Sequence, residues 1–300
     1  MHILQNLIGF ARLHTVIATS VQVVTILVIV AGPRAIEPTA LGVAVVTLAI
    51  CLALNLYVVG VNQLTDVAID RVNKPWLPLA AGTLSLPAGR RLVLGAAVVA
   101  LVGAALAGPF LLAMVAIIML IGSLYSLPPL RLKRWPLPAA LSIAFARGVI
   151  SNMGVALHYR DRLAVDLPLD TLTMLALFFF GFAVVIAIYK DLPDDAGDRQ
   201  YQIETFTTRM GTRRVLNLGR GVMSACYALP IALGFMALPG AAPLLLLVSH
   251  LLLLAIFWGA TLRVDLAQQQ SITNFYMLLW GLFYTEFVFL SLYELTRMLT

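Results

Sequence analysis

Apolar residues in this chain run in solid blocks, not at alternate positions and not as a single stripe at helical spacing. Nine blocks approach the roughly 20 residues a helix needs to cross a hydrocarbon core. They predict helices at about 14–31, 40–61, 92–107, 110–127, 137–158, 170–189, 215–237, 242–262 and 274–297. The third and fourth divide at Gly108 and Pro109, because "VLGAAVVALVGAALAGPFLLAMVAIIMLIG" is too long for one crossing and proline suits the first turn of a new helix. A membrane barrel would alternate apolar and polar residues instead. The expected fold is therefore all-α and polytopic: nine transmembrane helices bundled around a central cavity. A single domain spans 1–300, and a cytoplasmic cap is expected from the loops after the second and sixth helices.

Composition agrees, with 61% hydrophobic residues, 11% charged residues and a mean hydropathy of +0.95, which excludes a soluble globular surface. The opening "MHILQNLIGFARLH" is short, and the apolar run after it has the length and flanks of a permanent helix, so it is expected to be retained and not cleaved as a signal. Cys51 and Cys226 lie inside apolar spans and form no ligand spacing, so they read as small buried hydrophobes.

Of the 20 Lys and Arg residues, 14 fall before the first helix or after the second, fourth, sixth and eighth, and only Arg34, Arg160, Arg162 and Arg297 fall on the other side. By the positive-inside bias the N-terminus and those loops are cytoplasmic. The net charge of +6 is thus mainly a topology signal with some attraction to anionic lipid. Nucleic acid is not expected as a partner, since no segment is large enough to carry a separate basic domain. Nothing in the sequence calls for an obligate protein partner.

Two acid clusters break this pattern. "NQLTDVAID" places Asn62, Asp66 and Asp70 at a spacing of four directly after the second apolar block, which makes one polar stripe if the helix continues. "YKDLPDDAGDRQ" places Asp191, Asp194, Asp195 and Asp198 after the sixth. Four crossings return the chain to the same face, so the clusters can oppose each other. Oxygen ligands without His or Cys suit Mg²⁺, which typically takes one or two carboxylates plus substrate phosphate. Such ions would clamp a diphosphate that the carboxylates alone repel.

Lys74, Lys190 and Arg131 share that face, as do Lys133, Arg134, Arg90 and Arg91, which read as topology residues. Arg147, within the fifth block, is costly unless it faces a cavity, and it is expected to contact diphosphate or pair with an Asp. Tyr125 and Tyr189 end the fourth and sixth helices, where an interface belt and a role beside the diphosphate both remain open.

These motifs, "NQLTDVAIDRVNKPWLPLAAGTLS", "LYSLPPLRLKR" and "YKDLPDDAGDR", resemble the UbiA-type superfamily of intramembrane aromatic prenyltransferases over nearly the whole chain. The wording is most similar to the homogentisate prenyltransferases of tocopherol and plastoquinone synthesis. The resemblance implies Asn62, Asp66 and Asp70 as one Mg²⁺-diphosphate site, with Asp191, Asp194 and Asp198 as the other. It leaves Asp195 without a role. It also implies a prenyl diphosphate and a small aromatic acceptor as substrates, in the bilayer.

A chlorophyll-synthase-like enzyme fits less well, because Lys74 and the Lys190-Asp191 pair depart from that pattern. A 4-hydroxybenzoate or glycerol-phosphate acceptor is a further alternative. A cation-coupled transporter is disfavoured because transporter sites tend toward the midplane. "LALFFFGFAVV" reads either as tunnel lining for the isoprenoid tail or as lipid-facing surface, and Trp76 and Tyr201 are candidate cap residues.

Overall fold

The computed structural model describes residues 2–201 and 203–300, so Gln202 of the second loop lies outside the described residues. Among the described residues, nine helices are long and apolar enough to cross a membrane. They are α1 (Leu13–Ile36), α2 (Pro38–Thr65), α3 (Leu86–Ala107), α4 (Pro109–Ser126), α5 (Pro136–Leu163), α6 (Leu169–Tyr189), α7 (Thr212–Met236), α8 (Ala241–Arg263) and α9 (Gln269–Leu299). Pro38, Pro109 and Pro136 open their helices, where the missing N–H has no intrahelical acceptor to lose. Gly108, at φ 145°, ends α3 and turns the chain into α4.

Hydropathy locates the apolar length of a helix, and several helices run past it. Helix α3 begins at Leu86, six residues before the apolar block, because Ser85 caps it; Arg90 and Arg91 lie in its second turn. Helix α9 likewise begins outside the apolar block, at Gln269 in the polar "QQSITN". An N-terminal helix, His2–Ala11, was not predicted. Its end buries Phe10 completely, and Gln63 of α2 donates to the Phe10 carbonyl at 2.6 Å.

The helices pack as a ring in chain order, α4 through α9, and α9 returns onto α1. Helices α1 and α2 complete it, and α3 lies outside against α2 and α4. Of the run "LALFFFGFAVV", Leu177 faces outward at 59% exposure, while most of the aromatic residues pack inward. Phe178, Phe179 and Phe182 are at most 1% exposed and interlock with Phe283 and Phe287 of α9, with Phe179 stacked on Phe287 at 3.8 Å. This aromatic block holds α6 against α9. The segments that follow α2 and α6 meet at one end of the bundle.

Candidate active site

Helix α2 stops at Thr65. Asp66 leaves helical geometry at φ −114°, ψ 13°, and a short second helix, Val67–Asn73, follows. The expected continuous Asn62–Asp66–Asp70 stripe is therefore bent at its middle residue. The Asp66 N–H reaches back to Gln63, which is itself tied to the N-terminal helix. The bend turns Asp70 and Asn73 toward the second motif.

The two motifs meet directly. Lys74 forms an ion pair with Asp194, the Gly197 N–H donates to Asn73 Oδ1 at 2.9 Å, and the Tyr201 hydroxyl donates to the Ala68 carbonyl at 3.1 Å. A side chain at Gly197 would collide with Asn73, so glycine is required by this close approach. Gln269, at the start of α9, donates to the Pro193 carbonyl at 2.5 Å and holds the second loop from the other side.

Cations surround the acids. Lys133 donates to both Asp66 oxygens at 2.7 Å, Arg131 reaches Asp66 at 3.1 Å, and Asn62 donates to Asp66 at 3.1 Å. Lys190 pairs with Asp191 at 2.7 Å, beside Tyr125. Burial pulls Lys133 down to about 8, with Asp66 opposing the shift. Sequence patterning treated Lys133 as a topology residue, and only the fold, which brings the α4–α5 loop over Asp66, reveals its position.

Asp70 and Asp198, one from each motif, are each 6% exposed and have no ion-pair partner among the described residues. Burial raises Asp70 to about 6, opposed by Lys74 and Arg12. Burial also raises Asp198 to about 7, reinforced by Asp191 and Asp194. Arg12, which breaks from the N-terminal helix into α1 at φ 55°, was not singled out from the sequence, yet its charge acts on Asp70.

The remaining expected residues fall elsewhere. Tyr189 is fully buried, donates its hydroxyl to the Leu216 carbonyl at 2.6 Å and stacks near Phe275, so it knits α6, α7 and α9 together and does not face the acids. Arg147 lies deeper, over the rings of Trp280 and Phe283, and pairs with no acid among the described residues. Asp195 pairs with Arg199 in an exposed contact. Trp76 is 68% exposed and does not pack against the motifs, whereas Tyr201 bridges them.

The donor set fits a hard divalent cation. It consists of oxygen ligands, two of them buried carboxylates without counter-ions, and cations sit alongside to meet phosphate oxygens. No three His, Cys, Asp or Glu side chains among the described residues form a closed cage.

Residues 21–282 match the model of the UbiA prenyltransferase family. A homogentisate phytyltransferase of Synechocystis sp. (strain ATCC 27184 / PCC 6803 / Kazusa) is 40% identical over 93% of this chain and 92% of its own length. A probable chloroplastic homogentisate phytyltransferase 2 of Oryza sativa subsp. japonica is 36% identical over 94% of this chain and 76% of its own. Among solved structures, a UbiA homolog from Archaeoglobus fulgidus bound to GPP and Mg²⁺ has the same fold, with a TM-score of 0.67 and 17% identity over 95% of this chain and 99% of that one. The chain belongs to the UbiA prenyltransferase family.

Proposed function

We propose that this family member transfers a prenyl group from a prenyl diphosphate to a homogentisate-like aromatic acceptor within the membrane, with Mg²⁺ as cofactor. The observation that carries this reading is that each motif contributes a buried carboxylate without an ion-pair partner among the described residues, Asp70 and Asp198, with the Lys74 charge acting on both where the two motifs meet. The curated relatives named above supply the acceptor class.

Asn62, Asp66 and Asp70 would hold the metal on one side and Asp191, Asp194 and Asp198 on the other. A metal held there would supply positive charge to offset that building on the departing diphosphate. Lys74, Lys133, Lys190 and Arg131 now neutralise the carboxylates. They are placed to turn to the phosphate oxygens and stabilise the same developing charge. The acceptor ring then forms the new C–C bond to the prenyl carbon and releases a proton. Bundle walls and the joined loops exclude the water that would otherwise capture the carbocation. The two loops act as one cap, supported by the Asn73–Gly197 and Tyr201–Ala68 contacts, and the basic loop distribution supports a cytoplasmic position for this end of the bundle.

The test is Mg²⁺-dependent prenylation by purified protein, with products identified by mass, against homogentisate, 4-hydroxybenzoate and a glycerol phosphate. Prenylated homogentisate, abolished by EDTA, is the expected product. Turnover of only a non-aromatic acceptor overturns the proposal.

A further inference from the structure

Arg147 poses a problem that the diphosphate chemistry does not solve. It lies in a π-helical stretch of α5, Phe145–Ile150, well within a membrane-spanning helix. An arginine at such depth normally pairs with an acid or with carbonyls, or faces water. Among the described residues, the Arg147 side chain meets no acid and no hydrogen-bond acceptor. Its guanidinium lies 5.1 Å from the centre of the Trp280 ring and 5.9 Å from that of Phe283. These ring faces offset part of the cost of burying the charge and leave the N–H donors unused.

A second donor nearby is in the same condition. Trp280 is 3% exposed, and its Nε1–H is buried without a well-aligned hydrogen-bond partner among the described residues. Around it, His14 lies 4.8 Å from the Trp280 ring and Tyr276 lies 6.4 Å from it. The Tyr284 hydroxyl is already committed to the His14 carbonyl at 2.7 Å. A planar cation and an indole N–H that both lack acceptors are together the complement of a carboxylate.

Depth fits as well. The Phe275 and Tyr189 rings lie 5.5 Å apart, so position 275 of α9 is level with the last residue of α6, immediately before Lys190 and Asp191. Trp280 is five residues further in, roughly 7 Å at the α-helical rise. An aromatic acid held there by its carboxylate would direct its ring up toward the diphosphate rim.

We propose that Arg147, with Trp280, binds the carboxylate of the aromatic acceptor and makes the enzyme selective for acidic over neutral phenols. The inference rests on the prenyltransferase reading given above. It is tested on full-length protein in liposomes with Mg²⁺ and a prenyl diphosphate, using two acceptors: homogentisate and the hydroquinone that lacks its carboxylate.

In Arg147→Met, the KM for homogentisate rises about 30-fold or more, as loss of a charge-assisted pair entails. The KM for prenyl diphosphate and turnover of the neutral hydroquinone stay within about twofold, and Arg147→Lys recovers part of the loss. Trp280→Phe keeps the ring face, removes only the N–H and costs about fivefold on homogentisate alone, which serves as the test if Arg147→Met does not fold.

A rise in the KM for prenyl diphosphate, or equal losses on both acceptors, overturns the inference. Wild-type protein that prenylates neither acceptor overturns instead the functional reading beneath it.

Discussion

At the scale of single residues, the site is a balance of charge that metal and substrate must reset. Asp66 is held by Lys133, Arg131 and Asn62 at once, so it keeps its place in the metal-free protein. On the proposed reading, Asp66→Asn would remove one metal ligand and weaken the hold of three partners. Prenyl transfer is expected to fall about 100-fold or more with the fold retained, measured as product formed per unit of folded enzyme. Asp70 and Asp198 are not held by cations, and this sets a pH dependence. Both bind protons up to about pH 6 and 7 respectively, whereas metal binding needs them ionised. The Mg²⁺ concentration that half-activates the enzyme is therefore expected to be about tenfold higher at pH 6 than at pH 8, read from metal titrations at the two values. Metal-free protein follows the opposite trend. The folded pKa values lie above the unfolded value of about 4, so stability falls as pH rises from about 4 to 7 and is level beyond. The acids were legible in the sequence because four-residue spacing after an apolar block is unusual. Lys133 and Arg12 were not, because a positive-inside residue and a site residue share the same sequence context.

At the scale of elements, the determining features are breaks in helices. The apolar blocks fixed the count and order of helices, since hydropathy is the property that membrane crossing selects. The bend at Asp66 left no such mark, because "NQLTDVAID" is compatible with a continuous helix and the bend comes from contacts with the N-terminal helix and the α6–α7 loop. Gly197 tests this docking. Gly197→Ala inserts a methyl into the Asn73 contact, so the second loop should lift away. Diphosphate release is then expected to uncouple from prenyl transfer, with proteolysis near residues 199–209 accelerated several-fold under limited trypsin. Deeper in the bundle, Glu286 of α9 and His250 of α8 are 0% exposed and 3.1 Å apart. Leucine-rich surroundings hid this pair from hydropathy. Glu286→Ala leaves His250 without its partner, and a loss of about 1–3 kcal/mol in stability is expected, seen as a lower melting temperature in detergent with the metal requirement unchanged.

At the scale of the molecule, the ring places the first motif on α2 and the second on α6, with α4 and α5 between them on one side and α7 to α9 on the other. Among the described residues, polar contacts that join the motifs across the rim include Lys74 with Asp194, Asn73 with Gly197, and Tyr201 with Ala68. Metal and diphosphate together would add a bridge between the same two halves, because on the proposed reading each motif holds metal on its own side and the phosphate oxygens between them complete both shells. Neither component suffices alone. Diphosphate without metal meets the carboxylates as like charges, and metal without diphosphate lacks the oxygens that join the motifs. The expected outcome is strong synergy. A non-hydrolysable prenyl diphosphate analogue with Mg²⁺ should raise the melting temperature well beyond the sum of the separate shifts, because a ligand stabilises in proportion to its affinity for the folded state alone. Equal shifts with and without Mg²⁺ would mean that the lysines bind the diphosphate unaided and that the two acid motifs act independently.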